Sequence, residues 1–289
     1  MGEKMIITIV KNKYIDMHIH SYYSDGTMSP EEIIETALSK NVKYIAITDH
    51  NSIAGSLELL KLSERMDYGI KCLSGVELDV IFNNINYHIL GYGFDTINEN
   101  LNRIITKNRE LLESVNLRLI TKIEKEYPQV TISDYELFNY DKRKGGWKAL
   151  HYLLEKGLVE DLTDGLRFYS KYNYLYSSAN FPFMKEICTL IHDAGGKAIL
   201  AHPGKTVKKN SVLEFKEEIK KIINNGIDGI ECYYPQHNDE ITKTCVELCH
   251  EHDLLITSGS DCHGSFGESN LGEMHVTQEL LKTGNLFDT

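Results

Sequence analysis

Nine residues suited to divalent-metal chemistry are strung along the chain: His18, His20, Asp25, His50, Glu77, His88, His202, Asp261 and His263. His18 and His20 are two positions apart, so an extended strand points both imidazoles to one face. Asp261 and His263 repeat that spacing, and Cys262 between them should face away. Imidazole and carboxylate without thiolate suit Zn, Mn or Fe in open sites. Structural zinc instead draws on cysteines in tight local pairs, and the six cysteines (Cys72, Cys188, Cys232, Cys245, Cys249, Cys262) show no framework spacing. Ligands spread this widely imply two or three divalent ions, with a carboxylate such as Glu77 bridging them.

Such ligands need elements that deliver them to one place. Met5 to Val10 and Tyr14 to His20 read as short strands. Ser29-Pro30-Glu31-Glu32 is a capping box with a proline start, so a helix follows. Val42 to Ile47 is a buried strand running into Thr48-Asp49-His50. A helix spans about Ile53 to Met66, and the strand Ile70 to Val76 ends at Glu77. After Pro182 the alternation resumes: the strand Lys197 to Ala201 ends at His202, Gly229 to Tyr233 is another, and Leu254 to Thr257 leads into Ser260-Asp261-Cys262-His263. Strand C-terminal ends converge on one rim of a parallel α/β barrel, where active sites form. Between about Thr96 and Phe181 the chain is charged and helix-forming, with no strand–helix alternation. The expected fold is therefore α/β, a barrel from residues 1–95 and 182–289 with a helical subdomain, 96–181, inserted.

The 289 residues are enough for one large α/β domain. A formal net charge of -11 argues against duplex DNA, which demands many Lys and Arg contacts to phosphates. It does not exclude a small phosphorylated substrate, because bound cations reverse the field inside a cleft. The N-terminus lacks an apolar signal-peptide core, and no apolar run reaches membrane-spanning length. The expectation is a reduced, cytoplasmic protein with no membrane partner.

His18-Ile19-His20, Ser24-Asp25-Gly26, Thr48-Asp49-His50, Gly75-Val76-Glu77, His88-Ile89-Leu90-Gly91-Tyr92, Ala201-His202-Pro203 and Ser260-Asp261-Cys262-His263 resemble, in order, the motifs of the PHP (polymerase and histidinol phosphatase) phosphoesterases. The resemblance covers about Tyr14 to Phe94 and Pro182 to Gly264. It implies a distorted seven-stranded β/α barrel and a trinuclear site. One metal would lie on His18, His20, Glu77 and Asp261, a second on Glu77, His88 and His202, and a third on Asp25, His50 and His263. It further implies hydrolysis of a phosphomonoester of a nucleotide, a short RNA end or another small molecule. The expected nucleophile is a metal-bridging hydroxide, since clustered cations neutralise the phosphate and acidify water. Histidinol-phosphate or sugar phosphatase activity is the alternative within the family, and an inactive metal-binding module the alternative outside catalysis.

Leaving-oxygen protonation needs an acid, and His237 is the candidate, as acid or phosphate ligand. Lys205, just after His202-Pro203-Gly204, could hold a phosphate oxygen, and Arg143 and Lys144 could reach over from the insert. Each could equally be a solvated surface group. Asp16 and Asp49 could orient ligating histidines. Cys245, Cys249 and His252 share a helix face, but core packing is the better reading. The tyrosines of Tyr169 to Tyr176 could stack a base, though packing of the insert accounts for them as well. The family's insert often carries Arg-Pro-His where this chain has Gly146-Trp147-Lys148, so substrate contacts from the insert should differ.

Overall fold

A computed structural model of the chain describes residues 13–173 and 179–287. The strand expected at Met5 to Val10 and part of the tyrosine-rich run lie outside them. β1 (Tyr14–Ile19), β2 (Val42–Ile47) and β3 (Lys71–Leu73) form a parallel sheet, connected by α1 (Pro30–Ser39) and α2 (Ala54–Arg65). The capping box starts α1 as the sequence implies. Ser29 Oγ accepts from Glu32 N–H at 3.2 Å and Glu32 Oε2 accepts from Ser29 N–H at 2.8 Å, a device worth about 1 kcal/mol.

The second sheet runs in the order β4 (Gly75–Phe82), β5 (Ile85–Tyr92), β6 (Lys197–Leu200), β7 (Gly229–Tyr233), β8 (Leu255–Ser258). β4 and β5 are an antiparallel hairpin closed by Asn83 and Asn84, both at positive φ (49° and 62°), the geometry that suits a two-residue hairpin turn. Between β5 and β6 lie α3 (Glu99–Ile123), α4 (Ile132–Leu137), α5 (Lys148–Glu155), α6 (Leu162–Lys171) and α7 (Met184–Asp193). α8 (Pro203–Thr206), α9 (Val212–Ile223) and α10 (Asp239–Glu251) complete the chain order around β7 and β8.

The protein is a mixed α/β fold. Where the family resemblance implies a distorted seven-stranded β/α barrel, the described residues form eight strands in two open sheets. The two sheets touch through isolated parallel bridges, Ile19 to Cys262 and His50 to Glu77. The pairing breaks at Ser74, where Gly75 N–H turns to Ser56 Oγ at 2.9 Å. Glu77 therefore lies near the start of β4 rather than at the end of a strand. The hairpin then reverses the chain, which strict strand–helix alternation did not anticipate.

Inner-face residues of both sheets (Ile15, Met17, Leu90, Tyr92 and Ile199 among them) pack into one apolar cluster, and Tyr92 OH donates to Met17 O at 2.7 Å. That cluster is a dry floor beneath the polar residues. α3 to α6 bury a separate cluster including Leu119, Tyr135, Tyr152 and Phe168. α3 is tied to the sheet by the buried Asn108, whose Nδ2 donates to Asn51 Oδ1 at 3.1 Å and to Asp79 O at 2.9 Å. Among the described residues no helix is long and apolar enough to cross a membrane.

Gly259 closes β8 against β1, and a Cβ there would lie 2.2 Å from His18 Cβ and 2.5 Å from Glu231 Oε1. Gly259→Ala must push those two residues apart. The expected cost is about 1–3 kcal/mol, read as a lower urea midpoint of the metal-free protein; an unchanged midpoint would show that the strands have room to spare.

Candidate metal centre

Glu77 is the residue on which the other groups converge. It is fully buried, and its two oxygens face five imidazoles. His18 Nε2, His20 Nε2 and His50 Nδ1 lie 3.4, 3.3 and 3.1 Å from Oε2. His88 Nδ1 and His202 Nε2 lie 2.8 and 3.0 Å from Oε1. β1 supplies His18 and positions His20 just beyond its end; His50 follows β2, His88 sits within β5 and His202 follows β6. Asp261, beyond β8, presents Oδ1 to His18 and His20 at 3.3 and 3.2 Å. Asp25 completes the far side, 3.3 Å from His263 Nε2, 3.5 Å from His20 Nδ1 and 3.9 Å from His50 Nε2.

All nine sequence candidates thus meet in one cleft. Three groups place their ligand atoms closely enough to hold an ion: His18, His20, Glu77 and Asp261; His20, Asp25, His50 and His263; and His50, Glu77 and His88. The first is the quartet expected from the motifs. In the others His20 joins the Asp25 group and His50 joins Glu77 and His88, while His202 reaches the same Glu77 oxygen. The donor set fits divalent cations on a second count. Glu77 Oε2, Asp25 Oδ1 and His202 Nδ1 are buried without a hydrogen bond to the described residues, and such orphans carry a desolvation cost unless something charged or polar joins them.

Electrostatics give the same answer. Burial favours the neutral form of each carboxylate, yet the imidazoles around Glu77 hold it well below the usual range, and Asp25 and Asp261 are lowered likewise. Burial also opposes a charge on His18, His20, His50, His88 and His202. The carboxylates overcome it at His18, held well above its usual value, at His20, pushed up to about 9, and at His88, pushed up to about 10. Burial prevails at His50, brought down to about 4, and at His202, brought down to about 3. Without metal, protons on His18, His20 and His88 balance the acids.

Buried residues outside the cluster hold it in shape. Glu231, which sequence reasoning passed over, accepts from His18 Nδ1 at 3.0 Å and from His202 N–H at 2.8 Å. One carboxylate thereby orients the His18 ring and anchors the loop carrying His202, and such outer partners tune ligand basicity. Its place in Gly229–Tyr233 offered no more than a polar residue in an apolar strand. Asp16 and Asp49 hold loop backbone and serine hydroxyls and bond no imidazole ring directly. Asp16 accepts from Ser260 N–H at 2.9 Å and Gly272 N–H at 2.7 Å; Asp49 accepts from Ser21 N–H at 2.8 Å and Ser24 Oγ at 2.6 Å. Tyr234 OH, also missed, and Lys205 Nζ each donate to Asp261 Oδ2 at 2.9 Å, which leaves Oδ1 to the histidines.

The remaining candidates are placed differently from expectation. His237 Nε2 accepts from Gly204 N–H at 2.9 Å, so its Nδ1–H donates to Cys232 O at 3.0 Å. Both nitrogens are engaged by backbone, and burial lowers its pKa, so the ring braces the loop after His202 and has no proton free for a leaving group. Arg143 is exposed and pairs with Glu32 at 2.6 Å. Lys144 lines a separate surface hollow with Phe138 and His151. Neither faces the cluster. Cys245 and Cys249 are buried in the apolar core, as packing predicts.

A family model described as the PHP domain matches residues 16–284. The chain is 26% identical over 265 residues to a phosphoribosyl 1,2-cyclic phosphate 1,2-diphosphodiesterase of Eggerthella lenta, covering 87% of this chain and 95% of that one. It is 27% identical over 259 residues to a 3′,5′-nucleoside bisphosphate phosphatase of Chromobacterium violaceum, covering 86% and 87%. A crystal structure from Bifidobacterium adolescentis, assigned as a metal-dependent phosphoesterase, aligns with TM-score 0.77 and 25% identity over 93% of this chain and 94% of that one.

Because His20 and His88 titrate near 9 and 10, both hold protons at neutral pH that a cation must displace. Affinity for Mn or Zn is expected to rise between about pH 6 and 8, roughly tenfold per unit for each proton displaced. Calorimetric titration in buffers of different ionisation enthalpy should register that proton release. Heats independent of the buffer would mean that the ions bind elsewhere.

Proposed function

The chain belongs to the PHP domain family, and we propose that it is a metal-dependent phosphoesterase hydrolysing a phosphomonoester of a nucleotide or another small molecule. The observation that carries this reading is the convergence of five imidazoles on the two oxygens of buried Glu77. The names of the two relatives, one a cyclic-phosphate diesterase of a ribose compound and one a nucleoside bisphosphate phosphatase, support a substrate of that chemistry.

His18, His20, Glu77 and Asp261 would hold one ion. Glu77, His88 and His202, with His50 beside them, would hold a second, and Asp25, His50 and His263 a third. When bound, such ions supply Lewis acidity that neutralises phosphate oxygens and acidifies water. The chain's own part is positioning. Tyr234 and Lys205 fix the outer oxygen of Asp261, and Glu231 keeps the His18 proton on Nδ1 so that Nε2 faces the cluster. Lys205, partly exposed beside Asp261, would contact a phosphate oxygen. His237 holds the Gly204 backbone. α3 to α6, from the inserted stretch, wall one side of the mouth.

The test is a panel of nucleoside mono- and bisphosphates, histidinol phosphate, sugar phosphates and acyl substrates, offered to metal-stripped and metal-reconstituted protein with metal content measured alongside. Hydrolysis of nucleotide phosphates that needs the metal is expected. His18→Ala should lower bound metal and cut turnover at least about a hundredfold, since loss of an outer partner alone costs 10–100-fold, with circular dichroism unchanged. Metal-replete protein that cleaves no phosphoester would leave a binding module, and preference for histidinol phosphate would move the substrate class.

A further inference from the structure

A second feature stands beside the cluster. A cavity of about 240 Å³ opens between His50 and Tyr23 on the sheet side and Arg109, Tyr140, Lys142 and Trp147 on the insert. It shares His50 with the metal centre, and the Trp147 and His50 ring centroids are 5.7 Å apart. Sites that engulf a whole ligand usually enclose about 300–1,000 Å³. This one is smaller, so it fits part of a substrate whose remainder lies in the cleft.

Its lining is basic. Some basic side chains of the insert are committed to carboxylates, Arg143 to Glu32, Lys171 to Glu126 and Arg167 to Asp164. Arg109 and Lys142 form no ion pair among the described residues, although the chain carries a net charge of -11. The carboxylate lining the same cavity, Glu113, is engaged by Tyr135 OH at 3.0 Å and Asn116 Nδ2 at 3.2 Å. Lys148 also lines the cavity, but it donates to Glu136 O at 3.2 Å and lies 4.6 Å over the Tyr135 ring. Partial burial and the nearby charge of Arg109 depress Lys142. An anion between the two cations would relieve that repulsion and gain charge-assisted hydrogen bonds. The half-buried Trp147 indole offers a face on which a flat ring can stack.

We propose that this cavity is a substrate subsite in which Trp147 stacks an aromatic base while Arg109 and Lys142 bind a second phosphate, so that the protein selects nucleotides bearing two phosphates over sugar and polyol phosphates. The proposal rests on the phosphoesterase reading for the fate of the first phosphate, but its binding chemistry stands on the cavity alone. A free bisphosphate and the end of a short oligonucleotide present the same chemistry.

Trp147 is the sole tryptophan of the chain, so its fluorescence reports on this cavity without any need for turnover. Titrating the metal-loaded protein with adenosine 3′,5′-bisphosphate should quench that emission saturably, and glycerol phosphate should not. Arg109→Ala with Lys142→Ala should raise the bisphosphate Kd roughly 10- to 100-fold, the range expected for lost charge-assisted bonds, while kcat on glycerol phosphate is unchanged. A dinucleotide bearing a terminal phosphate distinguishes a free nucleotide from a chain end by which of the two binds more tightly. Absent quenching, or equal quenching in the double variant, overturns the subsite even if phosphoesters are hydrolysed. Normal quenching with no hydrolysis of any phosphate supports the subsite and removes the catalytic reading instead.

Discussion

A carboxylate with no exposure to water and five imidazoles around it is an arrangement that must balance its own charge. Taking an ion out of water costs several kcal/mol, recovered only through well-placed partners. Glu77 meets that demand because β4 begins beside the ends of β1 and β2 and pairs with β5, so that histidines reach its two oxygens from separate elements. Asp25 and Asp261 repeat the arrangement on a smaller scale. Protons can satisfy the cluster, but they leave Glu77 Oε2 and Asp25 Oδ1 without hydrogen bonds. Divalent cations remove both the excess protons and the orphaned oxygens, which is why the donor set reads as a metal centre rather than an ordinary polar core.

Holding so many repelling groups in register takes a second layer of buried acids. Glu231, Asp16 and Asp49 each accept several hydrogen bonds from loops that carry ligands. Those loops are not relaxed. His202 and Asp261 both occupy positive φ, 29° and 53°, where a side chain costs of order 1–3 kcal/mol. His237 bonded to Gly204, and Ser260 held by Asp16, are the contacts that over-determine this backbone. The apolar floor of Ile15, Met17, Leu90, Tyr92 and Ile199 keeps the polar layer at one end of the sheets.

The insert joins this layout at two points. Asn108 of α3 bonds Asn51 and the backbone of Asp79, and Asp79 in turn lies 3.3 Å from His88 Nε2. The segment from Tyr140 to Lys148 returns to the mouth beside His50, with Gly146 N–H bonded to Asp25 O at 2.8 Å. A helical cluster with its own core can thus present cations and an indole to a cleft whose chemistry is supplied entirely by the two sheets. In a protein of negative net charge, those cations line a cavity that shares His50 with the candidate ligands.

The nine candidate ligands were legible in the sequence through their shared placement near strand ends and through an order of motifs that resembles the PHP family; no one of them alone carried that meaning. The α/β character and the helical middle were legible through short-range periodicity and caps such as Ser29 with Glu32. The sharing of His20 and His50 between groups, the break at Ser74 that starts a new strand at Gly75, and the role of Glu231 were decided only by tertiary structure. So were the engagement of both His237 nitrogens and the placing of Arg109 and Lys142 in the lining of the cavity that includes His50. Each depends on which distant group stands within hydrogen-bond reach, and a sequence specifies residue types and local spacing but not the distance between segments far apart in the chain.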